Sequence, residues 1–167
     1  EASGYYDVFL FDLAGNMIYS VRKESDFATS LKDGPFKGTA LGTVIMEVLA
    51  KQDGEYTAFQ DFTPYEPSAS SPSAFMARLV EDNNGAAIGA IAFQLPISVI
   101  GEIAAQDTGL GTTGDIFVFG EDKLLRNDLA DTEVLDVLTA APNGAWLRAG
   151  EAPAHMGGAF DRSGAPA

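Results

Sequence analysis

Short apolar runs, each followed by a polar turn, open the chain and recur later in it. The first run is DVFLF at residues 7–11, followed by the turn DLAGN and the short run MIYS at residues 17–20. The second is DIFVF at residues 115–119, followed by the turn GEDK and the short run LLRN at residues 124–127. Two such runs around a polar turn are typical of a β-hairpin. The repeat predicts two successive domains that each begin with a hairpin.

The stretch between the two hairpins predicts a helix and three more strands. Apolar residues recur at helical spacing over residues 40–51, and Thr39 precedes them as an N-cap residue. Strands are predicted at residues 56–62, 73–81 and 86–95, and the sequence Asn84-Gly85 marks a tight turn between the last two. Pro96 predicts the first turn of a helix that reaches about residue 105. This order of elements predicts an antiparallel α+β sheet of about five strands flanked by helices.

A segment rich in proline and serine separates the strands predicted at 56–62 and 73–81. It reads TPYEPSASSP over residues 63–72, which is long for a hairpin connection, and its prolines restrict the backbone. One interpretation is a stiff lid that uses Tyr65, Glu66 and serine hydroxyls, including that of Ser68, to hydrogen-bond a small ligand. The other is a rigid surface loop that covers an edge of the sheet.

Arg78 is a charged residue in an otherwise apolar predicted strand, AFMARLV at residues 74–80. Charged side chains are seldom buried unless they are paired. Three interpretations stay open: Arg78 binds a ligand carboxylate, pairs with a protein carboxylate such as Asp61, or faces water. Phe75 and Tyr19 could form apolar walls of the same cavity, although aromatic residues in strands usually belong to the core.

Composition narrows the class of protein. The net charge of −14 and the pI near 4.2 argue against nucleic acid and anionic membrane surfaces as partners. The chain has no cysteine, which excludes disulfides and thiolate sites. No apolar run reaches the roughly 20 residues that span a bilayer, and Glu1 begins neither a signal peptide nor an initiator sequence. We therefore expect a soluble segment excised from a longer protein.

The sequence shows no catalytic signature. The single histidine, His155, lies in a tail rich in glycine, alanine and proline, without partners for a catalytic triad or a metal cluster. The stretch GLGTTG at residues 109–114 precedes a predicted strand, not a helix, so it does not fit a dinucleotide-binding loop. We expect no enzyme activity, no metal and no cofactor. A small hydrolase or isomerase with unrecognised carboxylates is the alternative from another class.

Six stretches in matching order carry a family resemblance. They are GYYDVFLFD at 4–12, IYSVRKE at 18–24, DFATSL at 26–31, DFTPYEPS at 61–68, GAIAFQLP at 89–96 and GLGTTGD at 109–115. Together they resemble the Cache domains, PAS-like in fold, which form the extracytoplasmic sensor regions of bacterial transmembrane receptors. The resemblance implies a PAS-like Cache sensor module at residues 1–107 and the beginning of a second, truncated, membrane-proximal module at residues 108–167. We expect residues after about 143 to be poorly packed.

The resemblance also implies a function. It predicts a periplasmic sensor domain of an inner-membrane receptor, foremost a chemotaxis receptor, with a histidine kinase or nucleotide cyclase as the alternative. The partner would be a small organic solute, membrane contact would be made only by flanking helices, and a homodimer of the full receptor is compatible with the family. The implied pocket lies between the sheet and the loops ahead of its central strands. We predict that it is lined by the following residues: Tyr65, Asp61, Arg78, Phe75, Tyr19 and Ser68.

Overall fold

A five-stranded antiparallel sheet and one α-helix form the first of two units, Glu1–Pro96, in the computed structural model. The structure describes residues 4–104, 116, 118–127 and 138. The elements of this unit are β1 (Asp7–Phe11), β2 (Met17–Ser20), α1 (Ala40–Lys51), β3 (Thr57–Tyr65), a 3₁₀ turn (Glu66–Ser68), β4 (Ser71–Glu81) and β5 (Ala87–Pro96). The strand order β2-β1-β5-β4-β3 places the last strand beside the first. The predicted α+β, PAS-like sheet of about five strands is therefore confirmed.

Helix α1 begins and ends where the sequence predicts. The Oγ1 atom of Thr39 accepts a hydrogen bond from the backbone N–H of Gly42 at 3.2 Å, which satisfies a free donor of the first turn. At the other end, Gln52 adopts a left-handed conformation, with φ 53°, and its backbone N–H donates to the carbonyl of Val48. The buried stripe of α1 packs against the inner face of β3, β4 and β5. Its apolar members are Leu41, Val44, Ile45 and Val48.

Aromatic side chains connect the strands on that inner face. The rings of Phe9 and Phe75 lie 6.4 Å apart between centroids, and the rings of Tyr65 and Phe75 lie 4.8 Å apart in an edge-to-face arrangement. All three residues are almost fully buried. Such ring pairs stabilise a core beyond the area that they bury, so β1, β3 and β4 are held together at this point.

The predicted loop at residues 63–72 is mostly strand. β3 continues to Tyr65 and β4 begins at Ser71, with Pro64 opposite Pro72, so that only residues 66–70 form the connection. The prolines are compatible with strand here because β3 is an edge strand and Pro72 precedes the first residue of β4 that pairs with β5. The prediction of a long Pro/Ser loop was therefore wrong, since it took proline as a sign of loop at an edge where no ladder donor is needed.

The second unit, Ile97–Ala167, contains helix α2 (Ser98–Ala104) and an antiparallel bridge between Phe119 and Leu125. The bridge lies within the second predicted hairpin. Pro96 was predicted to start the helix but ends β5 instead, opposite Ser73. The predicted domain boundary at 107/108 and the tail after residue 143 lie outside the described residues. Among the described residues, no helix combines the length and the apolar character needed to cross a bilayer.

Candidate functional site

Polar side chains replace apolar ones at one end of the inner face of the sheet. Along β5 the inward positions are Ala90 and Ala92, and the next inward position is Gln94. Gln94 pairs with Asp7 at the start of β1 and with Phe75 of β4. Gln94 is 1% exposed and Asp7 is 2% exposed. Burying an amide or a carboxylate costs free energy unless hydrogen bonds compensate, so both side chains need hydrogen-bond partners among the surrounding residues.

Two connecting segments supply polar groups to this end of the sheet. The segment between β2 and α1 contributes two carboxylates, and the region from the end of β3 to the start of β4 contributes hydroxyl groups. We call the resulting group the polar cluster, and its members are Glu24, Asp26, Tyr65, Ser68, Ser73 and Gln94. Except for the half-buried Glu24, all of them are buried.

A chain of hydrogen bonds runs through one side of the polar cluster. The Nε2 atom of Gln94 donates to the hydroxyl oxygens of Ser68, at 2.9 Å, and Ser73, at 2.8 Å. The Ser68 hydroxyl in turn donates to Glu24 Oε2 at 2.6 Å. The hydroxyl of Tyr6 donates to the other oxygen of Glu24 at 2.7 Å. This chain ties β5 to both connecting segments.

Tyr65 and Asp26 form the other side of the polar cluster. The Tyr65 hydroxyl donates to Asp26 Oδ2 at 2.5 Å, and Asp26 is 1% exposed. The second oxygen of this carboxylate, Oδ1, has no hydrogen-bond partner, and neither does the amide oxygen Oε1 of Gln94. Buried polar atoms are almost always paired in folded proteins. Two orphaned acceptors in one cluster therefore call for an explanation, and a bound molecule is one.

The surroundings of Asp26 raise the pKa of its carboxyl group. Burial raises the pKa of Asp26, the hydrogen bond from Tyr65 opposes that increase, and the nearby carboxylates of Glu24 and Asp7 add to it. Burial also raises the pKa of Tyr65, and the hydrogen bond to Asp26 raises it further. The phenol thus stays protonated and acts as a donor, and among the described residues no basic side chain is hydrogen-bonded or ion-paired to Asp26.

Asp7 has a different role from the carboxylates of the cluster. Its Oδ1 atom accepts hydrogen bonds from the backbone N–H groups of Val8, Val21 and Arg22, and its Oδ2 atom accepts one from the Ser20 hydroxyl at 2.7 Å. Both oxygens are therefore satisfied. Asp7 fixes the segment that follows β2 onto the start of β1, and so positions the residues that lead to Asp26.

Backbone strain is concentrated in the two connecting segments. Among the described residues, seven that are not glycine have positive φ, and four of these lie in or beside the segments. Lys23 and Ala28, with φ of 55° and 61°, flank Asp26, and Ala69 and Ser70, with φ of 53° and 59°, follow Ser68. Left-handed residues with a Cβ atom are unfavourable by roughly 1–2 kcal/mol each. Strain of this kind tends to accumulate at functional sites.

The structure brings together only part of the predicted site. Tyr65 and Phe75 lie on the inner face and contact each other directly, and Ser68 is buried in the 3₁₀ turn that follows β3. Tyr19 is 45% exposed and pairs with Leu10, which alternates with the inward residues of β1, so it belongs to the outer face. The predicted wall formed by Tyr19 is thus not at this site. The alternation of inward and outward side chains along each strand explains the difference.

Arg78 and Asp61 also lie apart from the polar cluster. Arg78 is an outward residue of β4; its Nε atom donates to the carbonyl of Gly54, and its guanidinium pairs with Glu55 at 3.0 Å. Its partner is therefore Glu55, not Asp61, and the interpretation that Arg78 is a surface residue agrees best with its 43% exposed side chain. Asp61 is half-buried near a bulge of β3, and its Oδ1 atom accepts from the backbone N–H of Phe62.

Sequence reasoning missed Asp26, Glu24, Ser73 and Gln94. A usable signal existed for Gln94, because the period of two that makes Ala90 and Ala92 inward also makes Gln94 inward. Asp26 had no such signal, because it lies in an irregular segment whose path is set by tertiary contacts. Within the described residues, no group of three or more histidine, cysteine or acidic side chains could hold a metal ion.

Comparisons with known proteins agree on the fold. The chain matches no protein-family model and no curated protein sequence. Among solved structures, it is similar to the ligand-binding domain of the Campylobacter jejuni chemoreceptor Tlp3 in complex with 4-methylisoleucine, with 14% identity and a TM-score of 0.58, covering 87% of this chain and 51% of that one. It is also similar to the ligand-binding domain of the Pseudomonas fluorescens chemoreceptor CtaA in complex with L-serine, with 12% identity and a TM-score of 0.52, covering 81% and 52%.

A third similar structure is an extracellular ligand binding receptor from Desulfohalobium retbaense, with 15% identity and a TM-score of 0.62, covering 96% of this chain and 26% of that one. The chain thus spans about half of the two chemoreceptor domains and about a quarter of the third protein. At these identities the likeness establishes the fold. The chain has the PAS-like fold of bacterial ligand-binding sensor domains, as the Cache resemblance in its sequence implies.

Proposed function

We propose that this chain is an extracytoplasmic sensor domain that binds a small organic solute at the polar cluster. The observation that carries the proposal is the pair of buried, unpartnered acceptors: Gln94 Oε1 on the inner face of the sheet and Asp26 Oδ1 in the segment between β2 and α1. The fold supports it, because similar structures are ligand-binding domains of chemoreceptors. By this analogy the chain belongs to the periplasmic part of a transmembrane receptor, foremost a chemotaxis receptor, with a sensor kinase as the alternative.

The arrangement suits a sensor because the cluster joins elements that could move relative to one another. Asp26 and Glu24 belong to the segment before α1, whereas Ser68 lies in the short connection before β4. A solute bound between them would contact both segments at once. It would favour the packing in which both are closed over the sheet, and a population shift of this kind is how a sensor passes on its signal.

A thermal-shift screen of small organic solutes on the whole chain tests the proposal. A ligand of the folded state raises the melting temperature by mass action. Each solute that stabilises the chain is then titrated against Gln94→Leu and against Arg78→Ala. We expect Gln94→Leu to remove the response and Arg78→Ala to keep it, since Arg78 is on the outer face. The reverse pattern would place the binding site elsewhere and refute the proposal.

The same titration distinguishes a sensor from an enzyme. The solute recovered after prolonged incubation should be chemically unchanged by NMR. Turnover that depends on Asp26 or Glu24 would instead favour the alternative of a hydrolase or isomerase that uses these carboxylates.

A further inference from the structure

The side-chain hydrogen-bond donors of the polar cluster all bind protein acceptors, whereas two of its acceptors have no partner. Each hydroxyl in it donates to a protein acceptor: Tyr65 to Asp26 at 2.5 Å, Ser68 to Glu24 at 2.6 Å, and Ser73 to the carbonyl of Ser71 at 3.1 Å. The amide nitrogen of Gln94 donates to the two serine hydroxyls. A hydroxyl has one hydrogen to donate, and an amide nitrogen has two. No side-chain donor of the cluster is left for a ligand.

The orientation of the Gln94 amide follows from the same count. Because the Ser68 and Ser73 hydroxyls already donate elsewhere, they can only accept from Gln94. The atom that faces them must therefore be Nε2, and the atom that remains is the acceptor Oε1. Gln94 Oε1 and Asp26 Oδ1 are thus two acceptors without hydrogen-bond partners, and each belongs to a residue that is 1% exposed.

The charge around these acceptors is negative. The nearby carboxylates of Glu24 and Asp7 interact electrostatically with Asp26 and raise its pKa. The nearest basic residues in sequence, Arg22 and Lys23, are exposed and engaged elsewhere: the Arg22 guanidinium lies over the ring of Tyr6 at 4.5 Å, and Lys23 Nζ lies over that of Phe27 at 5.8 Å. In the described part of this unit, the hydrogen bonds and ion pairs of the cluster include no cation.

We infer that the site is built for an organic amine in its ammonium form, not for an α-amino acid. This inference rests on the proposed function. An ammonium group brings three donors and one positive charge, and it would donate to Asp26 Oδ1 and Gln94 Oε1 while neutralising the carboxylate. A carboxylate on the same ligand would bring only acceptors and a second negative charge, for which the cluster offers neither donor nor cation. The site would therefore discriminate against a zwitterion.

This specificity differs from that of the similar structures. Their ligands, L-serine and 4-methylisoleucine, each carry a carboxylate beside the amine. A protein that binds such ligands must satisfy both groups, since a buried carboxylate without donors is strongly unfavourable. The polar cluster offers acceptors for the ammonium group but no side-chain donor for the carboxylate.

The test compares amines with amino acids that differ only by the carboxylate. Isothermal titration of the whole chain would use ethanolamine against L-serine and isopentylamine against L-leucine, with N-acetyl-isopentylamine as the uncharged control. We expect at least one amine to bind roughly tenfold to a hundredfold more tightly than its amino acid, the factor that a hydrogen bond to a charged group represents. The acetylated compound should not bind.

Two variants assign the effect to the cluster. Asp26→Asn should weaken amine binding by about tenfold or more, because it removes the charge that the ammonium pairs with. Arg22→Ala is the matched control near the rim and should leave amine binding unchanged. Circular dichroism of each variant verifies that it is folded.

The possible results distinguish a failure of the amine specificity from a failure of the proposed sensor function. Amino acids that bind as tightly as their amines, with a loss of affinity in Arg22→Ala, would overturn the inference and leave the sensor proposal standing. The same holds if a neutral or anionic solute binds at Gln94 and no amine does, or if calcium or magnesium alone stabilises the chain through Asp26. If no solute of any class binds, or binding ignores the cluster variants, both fail.

Discussion

Replacing Asp26 by asparagine should make the unliganded protein more stable. Asp26 is 1% exposed, one of its oxygens accepts from Tyr65, and the other has no partner. Asparagine is nearly isosteric and its amide oxygen can still accept from Tyr65. The substitution therefore keeps the one hydrogen bond and removes a buried negative charge that faces the carboxylates of Glu24 and Asp7.

The expected gain in stability follows from the buried polar groups that each side chain leaves unpaired. An orphaned buried polar group costs about 1–3 kcal/mol when neutral and more when charged. Asparagine leaves a neutral amide nitrogen where aspartate leaves a charged oxygen, so we expect a net gain of roughly 1–2 kcal/mol in the free energy of unfolding. For a unit of the length of Glu1–Pro96, each kcal/mol of unfolding free energy corresponds to about 4–8 °C in melting temperature.

The gain should depend on pH in a defined direction. The pKa of Asp26 is raised above its ordinary value of 3.8 in the folded state, so the folded protein binds the proton more tightly than the unfolded chain. The free energy of unfolding of the native sequence therefore falls as the pH rises from the ordinary pKa to the raised one. The difference between Asp26→Asn and the native protein should be full above the raised pKa and vanish below the ordinary value.

Thermal unfolding followed by circular dichroism, in steps between about pH 8 and pH 3, measures that difference on both sides of the ordinary carboxylate pKa. The matched variant is Tyr65→Phe, which removes the donor and leaves both oxygens of Asp26 without a side-chain partner. It should destabilise the protein by about 1–3 kcal/mol. A destabilised Asp26→Asn variant, or a difference that does not change with pH, would refute the reasoning about an uncompensated buried carboxylate.

Three further predictions concern the scaffold and the outer face. Thr39→Ala should destabilise the protein by about 1 kcal/mol in urea unfolding, because it removes the N-cap of α1, and Thr39→Ser should restore most of the loss. Gly42→Ala should also destabilise the protein, although alanine favours helix, because the new Cβ would lie 2.6 Å from the carbonyl oxygen of Lys37. Gly38→Ala is the control: a Cβ at that position would have no atom within 4 Å, so this variant should not be destabilised by a clash. Arg78→Ala should change the free energy of unfolding by at most about 1 kcal/mol, as is usual for an exposed ion pair.

Local sequence signals predicted the scaffold well where one mechanism decided the outcome. The N-cap at Thr39 and the apolar stripe after it determined α1. The turn at Asp82 formed as expected, with its carboxylate accepting from the backbone N–H groups of Asn84 and Ala86. The prediction failed at Pro64 and Pro72, where two mechanisms compete. Proline disfavours strand in general but is tolerated at an edge, and edge position is a property of the finished sheet.

The site was harder to predict than the scaffold because its chemistry depends on contacts between distant segments. Tyr65 and Asp26 are separated by 39 positions, and Ser68 and Glu24 by 44. Neither pair has a spacing that a helix or a hairpin would produce. Arg78, in contrast, was predicted to line the site because it is a charged residue in an apolar strand. One face of that strand is partly open to solvent, so Arg78 can lie there without a ligand.

The features that reduce stability and the features that suit binding lie on the same residues. The orphaned acceptors belong to Asp26 and Gln94, and left-handed residues with a Cβ atom flank Asp26 and follow Ser68. A sequence selected for stability alone would replace them, since each is unfavourable in the free protein. A molecule that donates to the two acceptors would relieve part of that penalty only when both segments are closed over the sheet. The same unfavourable groups would then couple binding to closure, which is the property that a sensor domain needs.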